Sequence, residues 1–178
     1  MMRALVPFGL ALLGASAAAQ EPWSFRCPTA GTVARFQPGP TLRYEGTGDA
    51  AVLCRIGGQR TPWVLGVAGN EDPVGRAMQE TLAGFFPARP GARAGLPPRD
   101  PSGIGASELT LAGFEAVEVA GQSYQAAWID FSYRRSVDRT QRFTAWLDQA
   151  TGTLLRMIYE DTEGARRVDA RAVAIDPP

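Results

Sequence analysis

From residue 108 to the C-terminal end, the spacing of turns leaves this chain one architecture, an antiparallel sheet. Five stretches, 114–119, 122–137, 141–148, 153–160 and 166–175, are strand-like in composition and show much of the apolar/polar alternation of strands with one buried face. Only short turns separate most of them: Asp138-Arg139, the loop Asp148-Gln149-Ala150-Thr151-Gly152, and Glu163-Gly164. Parallel neighbours need crossovers of about a dozen residues or more. Successive strands must therefore pair as a meander. In the 148–152 loop, Gly152 stands where positive φ is needed.

Residues 22–65 read as further short strands. Segments 32–36 and 41–45 flank the turn Gln37-Pro38-Gly39-Pro40. Leu42 and Tyr44 share a face. Segment 51–56 sets Val52, Cys54 and Ile56 on one side, and segment 62–67 carries Trp63 and Leu65. One helix is expected over 73–85. Asp72 suits its N-cap and Pro73 its first position. Val74, Ala77, Met78, Thr81, Leu82 and Phe85 recur at the spacing of one buried stripe, and Gly84 and Pro87 bracket the stop. Residues 87–106 read as a Pro/Gly-rich loop, locally basic through Arg89, Arg93 and Arg99. The fold class is thus mainly β: an antiparallel meander sheet or half-barrel with one covering helix and one disulfide.

That disulfide follows from the chain's address. Arg3, the apolar run 4–14 and the small residues Ala17-Ala18-Ala19 read as a signal peptide over residues 1–19. Its apolar run is shorter than the ~20 residues that span a bilayer. Residues 20–178 then form one exported β-rich domain, periplasmic or secreted, with no membrane span. The cysteines are Cys27 and Cys54 alone, and in an oxidising compartment an even pair is a staple. Closing a loop of that length stabilises by about 3–4 kcal/mol in the chain-entropy model.

Missing residue types exclude much chemistry. The chain has no His, and all 18 of its basic residues are Arg. Ser-His-Asp and Cys-His catalysis, His-ligated zinc, Schiff bases and Walker-type phosphate loops are therefore absent. Arg3 leaves with the tag, so the acids outnumber the remaining arginines by one. Such a balance does not suit a nucleic-acid binder. Glu115 and Glu118 are close in sequence but point to opposite faces of a strand, and Glu160, Asp161 and Glu163 read as solvated turn acids. The doublets Arg134-Arg135 and Arg166-Arg167 read as solvated strand surface. No catalytic set, metal site or cofactor is expected.

One constellation suits binding. Pairing Ile129 with Leu147, Phe131 with Ala145 and Tyr133 with Phe143 sets apolar residues opposite one another, and the face continues if Ala145 meets Leu155 and Phe143 meets Met157. The other face then carries Tyr124, Trp128, Asp130 and Trp146, with Asp130 beside Trp146. Aromatic walls with few polar groups are typical of small-molecule sites. The same rings would serve equally as a second core layer, with Asp130 an ion-pair partner of Arg134 or Arg142.

The stretch Val117-Glu118-Val119-Ala120-Gly121-Gln122-Ser123-Tyr124, followed by 144–156 with Trp146, Asp148, Thr151, Gly152 and Arg156, resembles exported bacterial proteins of unknown function. In these a V-x-V-x-A-G-x-Y strand, which in this chain has the spacing V-x-V-A-G-x-x-Y, precedes a W-x-D-x-x-T-G-x-x-x-R hairpin. The resemblance implies an antiparallel half-barrel, a shape shared with periplasmic carriers of lipoproteins. The expected function is non-catalytic binding of an apolar or amphipathic ligand, or of an envelope protein. The alternatives are a carboxylate hydrolase acting on envelope glycans and a purely structural envelope module. Thiol titration of the denatured, unreduced protein is expected to find no free thiol; two would contradict the staple.

Overall fold

A computed structural model describes residues 21–163 and 166–178. The signal peptide expected over 1–19 lies outside the described residues, as does part of the expected Glu163-Gly164 turn. In chain order the elements are β1 (Val33–Gln37), β2 (Thr41–Thr47), β3 (Leu53–Ile56), β4 (Trp63–Val64), β5 (Ala68–Gly69), α1 (Pro73–Leu82), β6 (Arg93–Leu96), β7 (Ser107–Val119), β8 (Gln122–Arg134), β9 (Thr140–Asp148), β10 (Leu154–Asp161) and β11 (Arg166–Asp176).

Two meanders, β1–β5 and β6–β11, are each built by pairing neighbours in sequence. They join where β1 pairs antiparallel with β11, giving one sheet in the order β5-β4-β3-β2-β1-β11-β10-β9-β8-β7-β6. The connection from β5 to β6 must therefore cross from one edge of the sheet to the other. That connection contains α1, which packs on β4 and β5 near one edge and on β6, β7 and β8 near the other. The sheet curls around it as an antiparallel half-barrel. Cys27 and Cys54 are bonded, with Cα atoms 5.4 Å apart, and tie the N-terminal segment to β3.

The helix begins as its sequence dictates. Asp72 is extended and its carboxylate accepts from the Val74 N–H at 2.8 Å. Val74, Ala77, Met78, Thr81 and Leu82 are buried. The helix stops at Leu82, earlier than expected, because Ala83 is extended and Gly84 takes φ +75°. Phe85 is buried beyond the helix end. Gly75 marks the closest approach to the sheet: a Cβ there would lie 1.9 Å from the Gly69 carbonyl oxygen of β5.

Three details depart from the sequence pattern. The loop expected over 87–106 contains β6, whose Arg93–Leu96 pairs with β7 from Thr110 to Ser107. An Arg-Ala-Gly-Leu segment has no β-branched or aromatic residue, so its pairing comes from β7 and not from local preference. The single strand expected over 62–67 is the hairpin β4–β5, turned at Leu65 (φ +53°) and Gly66 (φ +69°). Leu65 holds a backbone conformation unfavourable for its side chain, and that side chain is only 1 % exposed.

The third departure is register. Ile129 faces Ala145 and not Leu147, and Ala145 faces Met157 and not Leu155. The β8–β9 turn occupies 135–139, closed by the Arg135 N–H on the Arg139 carbonyl at 2.9 Å. The β9–β10 hairpin is closed by the Asp148 N–H on the Thr153 carbonyl at 2.8 Å, and a bulge follows between Leu154 and Arg156. Each slip amounts to two residues. Because side chains alternate with period two, Ile129, Phe131, Tyr133, Phe143, Ala145 and Met157 keep their expected face, whereas the bulge sets Leu154, not Leu155, opposite an inner-face residue, Leu147.

Leu82→Ala is expected to cost about 2–5 kcal/mol in denaturant unfolding, since the Leu82 side chain is 2 % exposed. A loss below about 1 kcal/mol would place α1 on the surface. Gly75→Ala is expected to destabilise as well, against the usual gain of Ala over Gly in a helix. A stabilised Gly75→Ala protein would contradict the packing of α1 on β5.

Candidate functional site

The expected aromatic face is on the outside of the half-barrel. The Thr81 hydroxyl of α1 lies 2.7 Å from the Ser107 hydroxyl, and Ser107 faces Tyr133. The odd-numbered residues of β8 from Ile129 to Tyr133 therefore point inward. Trp128 and Asp130 alternate with them and point outward, on the same side as Trp146. Trp128 and Trp146 pair directly across β8 and β9 and stack at 5.9 Å with planes 14° apart. The structure thus sets Asp130 opposite Thr144 rather than beside Trp146.

Most polar groups on this face have partners. The Trp146 indole N–H donates to Glu115, which a bulge between Leu111 and Gly113 delivers to the outer face. Arg156 faces Trp146 across β10 and sets its guanidinium 4.6 Å from the ring centroid. Asp169 fixes that guanidinium with bonds of 2.7 and 2.9 Å. The Trp128 N–H donates to Asp130 at 3.2 Å, and the Thr144 hydroxyl donates to the same carboxylate at 2.8 Å. Asp130 is thus a hydrogen-bond acceptor, not the expected ion-pair partner of Arg134 or Arg142. Tyr124 stands further along β8, its hydroxyl on Gln122 at 3.0 Å. Trp146 is 5 % exposed, and Trp128 is half-buried. A polar recess of about 370 Å³ next to Asp130 is lined also by Glu108, Arg142, Thr144 and Glu160.

The hairpin motif has a structural reading of its own. Asp148 is buried and accepts from the Thr151 N–H (3.1 Å) and hydroxyl (2.6 Å). Gly152 has φ +73°, and a Cβ there would meet the Arg26 carbonyl oxygen at 1.7 Å. Trp146 and Arg156 are the cation–π pair. Each of these residues shapes the hairpin or docks the N-terminal segment on it.

The inner face carries a different feature. A groove of about 550 Å³ opens beside the start of α1. Phe143 of β9, Met157 and Tyr159 of β10 and Val168 of β11 line the sheet side; Val67 and Val74 line the helix side. The cause is geometric. Ten helical residues extend about 15 Å, enough to cross three or four strands spaced about 4.8 Å apart. Lying on β6, β7 and β8, α1 leaves the inner faces of β9, β10 and β11 incompletely covered. Phe143, Met157 and Val168 are accordingly half-buried, whereas Leu109, Ile129 and Phe131 beneath the helix are at most 2 % exposed.

A carboxylate-centred network stands at the rim. Asp161, 5 % exposed, accepts from Arg139 Nη2 (2.6 Å) and Nε (3.1 Å), Gln141 Nε2 (3.1 Å), the Tyr159 hydroxyl (3.1 Å) and the Glu163 N–H (3.2 Å). It is not the solvated turn acid its position suggests. The Arg139 hydrogen bonds, then those of Gln141 and Tyr159, hold its carboxyl well below the usual carboxylate range. Burial first, then the Asp161 carboxylate, raises the Tyr159 phenol. On the outer face Asp169 is lowered likewise, by Arg156 first and Arg171 next. Arg139 also pairs with Glu163 at 2.9 Å.

Two further arginines, Arg135 and Arg166, line the same groove. Among the described residues neither has a carboxylate within 4 Å. Both are exposed, as the sequence suggests, whereas Phe143 and Met157, core residues by their pattern, are only half-buried. The signal that finds the groove is the mismatch between one short helix and a wide sheet. Against known protein families, characterised proteins and solved structures, the chain matches none. Among the described residues no helix is long and apolar enough to cross a membrane.

The lowered carboxyls set an acid limit on stability. Folded Asp161 and Asp169 bind protons less readily than in the unfolded chain, where the pKa is about 3.9. Their contribution is complete above that value and is lost as pH falls below about 4 toward their lower folded values. Denaturant titrations between about pH 5 and pH 2.5 are expected to show a stability loss that is shallower in Asp161→Asn. An equal slope in wild type and variant would contradict the network.

Proposed function

We propose that this protein is an exported, non-catalytic binding domain that holds the apolar part of a small amphipathic molecule in its inner groove. The observation that carries this reading is the groove itself. Its volume lies in the range of small-molecule sites, about 300–1,000 Å³, and its floor presents Phe143, Met157 and Val168 only half-buried. Apolar side chains left open inside a curled sheet contribute less to folding than buried ones and gain burial when a ligand covers them. The signal-peptide pattern and the disulfide support a periplasmic or secreted location. The two most strongly shifted carboxylates, Asp161 and Asp169, are held ionised by arginines. They suit anchoring roles and not proton donation.

A second reading keeps the outer face as the site, favoured by half-buried Trp128 beside the polar recess at Asp130. One experiment separates the two. A neutral apolar fluorophore, N-phenyl-1-naphthylamine, is titrated and then displaced with dodecanol. Wild type is expected to bind both. Met157→Gln, which places a polar group on the groove floor, is expected to weaken binding about tenfold, near 1.4 kcal/mol, without lowering the thermal midpoint much. Trp128→Ala is expected to leave binding in place. Binding lost in Trp128→Ala and kept in Met157→Gln would move the site to the outer face. No binding at all would leave a structural envelope module.

A further inference from the structure

We propose that the molecule held in the groove is an acid, with a carboxylate or phosphate head bound by Arg135 and Arg166. The inference rests on the groove reading above and adds the chemistry of the head group. Four charged side chains line the groove: Asp72, Arg135, Arg139 and Arg166. Two of them are already committed. Asp72 caps α1 through the Val74 N–H, and Arg139 is neutralised by Asp161 and Glu163. What remains is the pair Arg135 and Arg166, with no carboxylate within 4 Å among the described residues.

Two guanidinium groups at the mouth of an apolar groove are chemically particular. Each presents a planar fork of donors that matches a carboxylate or a phosphate. They arrive from different elements, Arg135 from the β8–β9 turn and Arg166 from the first position of β11. Other doublet members have outward partners: Arg134 donates to the Val137 carbonyl, and Arg167 pairs with Glu160. An apolar chain lying on Phe143 and Met157 would bring its head to this rim, where a neutral head would leave both cations without a partner.

The test compares three molecules with the same twelve-carbon chain: dodecanol, laurate and dodecyl phosphate. Each displaces the neutral fluorophore at pH 7. Wild type is expected to bind the two acids at least tenfold more tightly than the alcohol, and the ratio should shrink at 0.5 M salt because the arginines are exposed. In Arg135→Gln/Arg166→Gln the ratio is expected to fall to near one, with the thermal midpoint unchanged. In Arg135→Lys/Arg166→Lys part of the preference should persist, since charge remains but the fork is lost. A stronger gain for dodecyl phosphate than for laurate would identify a phosphate head, and the reverse a carboxylate. Equal binding of acid and alcohol by wild type, or a preference that survives the Gln double variant, would overturn the inference while leaving the groove. Failure of all three molecules to bind would overturn the groove reading, and this inference with it.

Discussion

Everything about this molecule's shape depends on the pairing of β1 with β11. The two meanders are local structures whose neighbours in space are neighbours in sequence. The β1–β11 ladder is not local: Arg35 and Asp176, at one end of it, lie 141 residues apart and form a 2.5 Å ion pair. Both side chains are half-exposed, so that pair contributes about 0–1 kcal/mol. The ladder itself carries the join, at the entropic cost of closing a long loop. Once it forms, β5 and β6 occupy opposite edges and the helix between them has to bridge the sheet. A ten-residue helix bridges only part of it. The groove follows from those two facts, not from a dedicated set of side chains.

The two faces of the central strands divide the work. Outside, aromatic rings and charged groups satisfy one another: ring on ring, guanidinium on ring, indole N–H on carboxylate. Inside, residues of ordinary core type run from full burial under α1 to half-burial beyond it. Charge follows the same division. The outer arginines Arg156 and Arg171 share Asp169. At the inner rim Asp161 faces Arg166 across the β10–β11 ladder but turns its carboxylate to Arg139, and neither Arg135 nor Arg166 has a carboxylate within 4 Å among the described residues. The open apolar floor, with two rim arginines outside any ion pair among the described residues, is the feature on which the proposed binding role rests.

Much of the fold was legible in the sequence because its signals are local. Asp72 and Pro73 announce the helix start, Gly152 the hairpin, and the short turns the antiparallel meander. The even cysteine pair, read with the expected signal peptide, announced the Cys27–Cys54 bond. Register was legible only in parity. Alternation determines which face Trp128 occupies, but the geometry of the 135–139 turn decides that it meets Trp146, and the bulge at Leu154–Arg156 decides that Trp146 meets Arg156. β6 was hidden because its residues have no strand preference of their own. The groove was hidden for a deeper reason. Phe143, Met157 and Val168 are the same residue types a closed core would use, so only the extent of the covering layer, a property of topology, separates floor from core. The role of Asp161 was concealed likewise, since its partners Arg139 and Gln141 come from the adjoining strand and turn.

The central claim is that a ligand's chain lies on the inner face. Methyl-resolved nuclear magnetic resonance with Met and Val methyl labels and bound laurate tests it most directly. The account predicts intermolecular contacts from the laurate chain to the Met157 and Val168 methyls, with the Trp128 indole signals unmoved. Contacts to the Trp128 indole with none to Met157 or Val168 would contradict it.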